Sequence, residues 1–189
     1  MPAGSDRQEA LAIAASAWAE QNFADATAWA KQLPDTAEQQ KVLEIMADEA
    51  VYEHPVEALR LATTLAPSSA LDGTTARAIA VWTRTAPEDA VSWAKQIRDE
   101  DSREQVITSI AATWGESNPA AAVNLAITSL RLGPVLDQTV ITVVQRWAQT
   151  DALDAKAWVD QFPQGTFRQA AMAVLDESAK HNHPHAHGP

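Results

Sequence analysis

Histidine is the side chain best suited to hold a transition metal or move a proton near neutral pH, and this chain has five. Four of them alternate in His181-Asn-His183-Pro-His185-Ala-His187, where Pro184 favours an extended backbone that places the imidazoles on one side. Such a tract chelates Ni, Cu or Zn when imidazole is unprotonated, so His181, His183, His185 and His187 are the candidate metal ligands. With no second ligand set elsewhere, the same residues also read as a disordered tail over 181–189. The remaining histidine, His54, stands at a helix start, where a cap or loop role is expected. It has no His-Glu-x-x-His partner, and no Gly-x-Ser-x-Gly aims a serine at it. The six glycines are scattered singly, so no phosphate-cradling loop exists.

Carboxylates are the other source of chemistry. Asp48, Glu49, Glu53 and Glu57 surround one turn, and Asp99-Glu100-Asp101 form another. Asp and Glu favour the first turn of a helix, so solvated charge and helix electrostatics account for both clusters. The second lacks the x-Gly-x spacing of a calcium loop. A net charge of -11 and a pI near 4.7 argue against phosphate-backbone binding, because no Lys/Arg stripe is available to release counterions. The acidic excess points instead to a basic partner, or to solubility alone. With no cysteine, thiol nucleophiles, thiolate metal sites and disulfide scaffolds are excluded.

The elements that would position these groups follow a repeat. Trp18, Trp82, Trp114 and Trp147 are 64, 32 and 33 residues apart, which leaves room for one more unit centred on Ala50. Five residues beyond each of these anchors stand Phe23, Pro55, Pro87, Pro119 and Ala152. Eight beyond stand Ala26, Ala58, Ala90, Ala122 and Ala155, and eleven beyond stand Trp29, Leu61, Trp93, Leu125 and Trp158. Self-similarity at such a period marks stacked supersecondary units. Before each anchor, apolar residues at minus three, four, seven and eight define one face of a longer α-helix, as in Ala111, Ile110, Ile107 and Val106 before Trp114. A shorter helix follows, with Trp29, Ala30 and Leu33 echoed by Trp93, Ala94 and Ile97. Tryptophans at fixed offsets, interchangeable with Ala and Leu, are packing residues rather than a ligand cage.

Punctuation supports the phase. The shorter helices should begin at Asn22, Asn118 or Asp151 as N-caps, or with Pro55, Pro87 or Pro119 in the first turn. The longer ones should begin with the capping boxes Thr36-x-x-Gln39 and Asp101-x-x-Glu104. Arg7, Arg103 and Arg168, with Gln39 in the same slot, lie eleven residues before their anchors, where they can tie the start of the longer helix to the preceding turn. Gly133-Pro134 marks the turn of the one unit that is a residue longer.

The expected fold is all-α: a right-handed α-solenoid of about five 32-residue αα repeats and about eleven antiparallel helices, filling residues 6–180 after a disordered or vector-derived start over 1–5. The last longer helix carries Asp176 where apolar residues stand elsewhere, as suits a capping unit. The first has a fully apolar face with nothing before it, so missing upstream residues, a partner or self-association is expected to cover it. No run approaches the roughly 18 apolar residues of a membrane span. The expected location is cytoplasmic by default, or periplasmic if a signal or anchor preceded the present start. The organisation resembles the α-solenoid families of helical hairpins, with tetratricopeptide-like proteins nearest in period, although the Trp-x-x-Leu-Gly-x-x-Tyr pattern is not matched. That resemblance implies a non-enzymatic scaffold that binds a protein or peptide segment along one face. Ile45 and Val81, read as solvent-exposed apolar positions on longer helices, are the candidate partner contacts. The alternative is a metal-handling accessory protein using the histidine tract.

Overall fold

A computed structural model describes the backbone of residues 3–163 and 165–182. The described residues form eleven α-helices and no strand. Long and short helices alternate, with one compact unit ending at Thr85 and a second beginning at Ala86.

The first unit contains α1 (Ala3–Ala19), α2 (Phe23–Ala30), α3 (Thr36–Glu49), α4 (Pro55–Ala62) and α5 (Ser69–Thr85). Its α1 packs on α2 and α3, and α3 packs in turn on α4 and α5. Ala15, Ala26, Ala30, Val42, Met46, Ala47 and Leu61 form its core, with Phe23 and Trp29 against them. The second unit contains α6 (Pro87–Ala94), α7 (Glu100–Trp114), α8 (Pro119–Ser129), α9 (Pro134–Thr150), α10 (Ala152–Val159) and α11 (Thr166–Asn182). There α7 packs on α6, α8 and α9, and α9 packs on α10 and α11.

Small residues set the spacing between helices. Ala26, Ala58, Ala90, Ala122 and Ala155, eight residues beyond the anchors, are each at most 1% exposed. Their methyl groups are closed off from solvent, so a larger side chain there would have to displace its neighbours. The position four before the anchor is equally closed at Met46, Ala78, Ile110 and Val143. Its counterpart in α1, Ala14, is exposed, together with Ala10, Ala17, Ile13 and Trp18. At the end of α7, a Cβ on Gly115 would stand 3.0 Å from the Val143 side chain, so a larger residue there would press on α9.

The caps of the shorter helices stand where the spacing put them. Asn22 accepts from the backbone N–H of Asp25, Asn118 from Ala121 and Asp151 from Asp154. Pro55, Pro87 and Pro119 each open their helix, where a missing N–H leaves no bond unmade. The longer helices correct the sequence reading. Asp35, not Thr36, caps α3, accepting from the N–H groups of Ala37 and Glu38; Asp99, not Asp101, caps α7, accepting from Ser102. A carboxylate one or two residues before each expected box takes the free N–H groups first. The side chains of Gln39 and Glu104 are thereby free for longer-range work.

Gln39 and two arginines make the expected ties. The Nε2 of Gln39 donates to the Leu33 carbonyl at 3.4 Å and to that of Lys31 at 2.5 Å. Arg103 Nη1 donates to the carbonyl of Ile97 at 3.1 Å, and Arg168 Nη1 to that of Phe162 at 2.9 Å. In all three cases the Leu33, Ile97 or Phe162 carbonyl lies six residues back, in the turn that ends the shorter helix. Arg7 instead pairs with Glu38, at 3.1 Å from Nε, linking α1 to α3.

Candidate functional site

The first unit holds a cavity of about 420 Å³ where the end of α1 and the start of α2 face the end of α3 and the turn before α4. Met46, only 1% exposed, lies at its base, and Ala19 and Ala50 form small-residue walls. Phe23 and His54 line it from opposite turns, their ring centroids 6.0 Å apart and their planes at 47°. Helix chemistry places them there. Phe23 is the first residue of α2, after the Asn22 cap, and His54 stands at the N-cap of α4 without a capping bond from its side chain.

Three carboxylates surround the mouth. Glu20, Glu49 and Glu53 are exposed and line the cavity, and their carboxylates have no hydrogen bond or ion pair among the described residues. No lysine or arginine lines it. Ser16 also lines the cavity, and its hydroxyl is closed off from solvent without a hydrogen-bond partner among the described residues. The site therefore combines an apolar base, two aromatic rings and uncompensated negative charge. That chemistry attracts an organic cation with an apolar stem.

The other acidic cluster is consumed by structure. Arg131, in the turn between α8 and α9, reaches Asp101 at 2.8 Å and Glu100 at 3.7 Å, and its Nε lies 2.8 Å from Glu104. Hydrogen bonds from the Arg131 side chain, then from its backbone, hold the Glu104 carboxyl down at about 2, against an ordinary 4.5. Bonds from Ser102 hold Asp99 below its ordinary value. In the first unit, Asp48 is paired with Arg77 and accepts from Thr74 Oγ1 at 2.6 Å. Among the described residues, no three His, Asp or Glu side chains are placed to hold a metal ion.

Compared with family models, curated proteins and solved structures, the chain matches none.

Of the expected partner contacts, Ile45 and Val81 are both half-buried rather than freely exposed. Ile45 lines a shallow groove between α3 and α5, where Lys41, Asp48, Gly73 and Arg77 surround it. His181 falls in the last turn of α11, while His183, His185 and His187 lie outside the described residues. Among the described residues, no helix is long and apolar enough to cross a membrane. The sequence did not point to the cavity, yet Ala50 falls at the spacing where Trp18, Trp82, Trp114 and Trp147 stand.

Proposed function

We propose that this chain is a non-catalytic scaffold, an α-solenoid of five helical hairpins, that binds a basic segment of a protein or peptide. The observation that carries this reading is the cavity beside Ala50, with three unpaired glutamates at its mouth and no cationic side chain in its lining. The net charge of -11 adds a long-range field that draws a basic partner to the surface. The solenoid reading is supported by the 32-residue spacing, the alanines closed at one offset and the recurring ties from Gln39, Arg103 and Arg168.

Fluorescence anisotropy with labelled twelve-residue peptides of basic, neutral and acidic composition tests the reading. The basic peptide should bind the full chain, and its affinity should fall as salt is raised, because surface charge is screened beyond about 10 Å at 0.1 M. Equal binding of all three peptides, or none of the basic one, would remove the proposal.

A further inference from the structure

The cavity has a geometric origin that narrows what enters it. Four of the five anchors are Trp18, Trp82, Trp114 and Trp147, and the fifth is Ala50. At two of these anchors a large ring packs beside the shorter helix: Trp18 lies 6.2 Å from Trp29, and Trp147 lies 6.2 Å from Trp158. Ala50 offers only a methyl group to the same register, and it is 8% exposed against an open volume of about 420 Å³. That volume lies within the range of sites that take small organic groups, roughly 300–1,000 Å³. Met46, Ala19 and Ala50 give this open space an apolar side, against which an incoming hydrocarbon group gains dispersion contacts.

We propose that the Ala50 cavity is a socket for an arginine side chain. This deepens the reading of the chain as a binder of basic segments and rests on it. The three-methylene stem lies along Met46, Ala19 and Ala50, the one part of the site that prefers hydrocarbon to water. The guanidinium reaches the mouth, where its fork can pair with two carboxylates among Glu20, Glu49 and Glu53. A planar cation also stacks on the Phe23 ring, which an ammonium does less well. The guanidinium could come from an arginine in a partner chain or from a free guanidine, and both carry the same chemistry.

The test uses the full chain, with amide spectra recorded during titration by three probes. These are a glycine-serine peptide with one central arginine, the same peptide with lysine, and N-acetyl-arginine amide. The arginine peptide should shift the amides of Ala19, Ala50 and His54, and the lysine peptide should do so at several-fold lower affinity. Binding of N-acetyl-arginine amide as tight as the peptide assigns the socket to a free guanidine; tighter binding of the peptide assigns it to a partner chain. Ala50→Trp, which fills the space, should abolish the shifts. Glu53→Gln, at an exposed turn position, replaces that variant in the test if Ala50→Trp does not fold, and should weaken binding about two- to fivefold. Shifts confined to other residues, or affinity unchanged by Ala50→Trp or Glu53→Gln, overturn the socket. If the longer basic peptides still bind elsewhere, the basic-segment reading survives that failure; if none binds, both readings fall.

Discussion

Arg131 donates from Nε and Nη2 to the two carboxylate oxygens of Glu104, both at 2.8 Å, while its backbone N–H donates to Oε1 at 2.9 Å. One residue thereby ties the turn between α8 and α9 to the first turns of α7, across 27 positions of sequence. Glu104 is largely buried, so water only partly replaces these bonds if they are lost.

The pairing makes stability depend on acid. The Glu104 carboxyl titrates at about 2 in the folded chain and at an ordinary 4.5 when unfolded, so the unfolded state takes up the proton first. The contribution is complete above the unfolded value and is lost as the pH falls through the folded one. Denaturant midpoints of the native chain should therefore fall between pH 4.5 and 2, and Glu104→Gln should be less stable at pH 7 with a shallower fall over that window. Equal slopes for the two proteins would show that Glu104 does not carry the effect.

Removing a turn tie should loosen the start of the following helix. Arg103→Ala frees the Ile97 carbonyl and should cost about 1 kcal/mol, the usual net worth of a hydrogen bond. Arg168→Ala removes the bond to Phe162 and the 2.6 Å contact with Asp160. Asp160, held below its ordinary pKa by Lys156 and then by Arg168, should titrate closer to that value in this variant. Thermal melts and carboxylate titration by NMR check the two effects separately.

Gly133 has φ +150°, a region that side-chain-bearing residues rarely adopt, although the space around its Cβ position is open. Gly133→Ala should cost about 1–3 kcal/mol through backbone strain alone. Gly165→Ala, with equally open space and no such φ, should stay within about 0.5 kcal/mol of the native chain. Similar melting temperatures for the two variants would remove the strain argument.

The Thr108 hydroxyl on α7 is enclosed without a partner among the described residues. Thr108→Val exchanges it for a methyl group of similar shape and should stabilise the chain by about 1 kcal/mol. Loss of stability would indicate that the hydroxyl is hydrogen-bonded in solution.

The helix order was legible because it depends on local chemistry. Pro55, Pro87 and Pro119 can open a helix but not continue one, and the cap asparagines bond within three residues. What sequence could not resolve depends on distance or on competition. Glu104 occupies the last place of a capping box, yet its partner arrives from another helix pair and Asp99 has already taken the cap. Ile45 has the pattern of an exposed apolar residue, but α5 covers part of it. The cavity lies beside a small side chain. Periodicity identifies Ala50 as the exception, but only packing shows that the space stays open and that three glutamates gather around it.

The ties made by Gln39, Arg103 and Arg168 also bear on how the chain acquires its structure. Each closes a loop of six residues, from Leu33, Ile97 or Phe162 to the following helix. Closures that short carry little entropic cost and form early, so each bend can order before distant helices have met. Folding should therefore be fast, and an amide whose protection depends on one such bend should exchange its hydrogen without waiting for the rest of the chain to open.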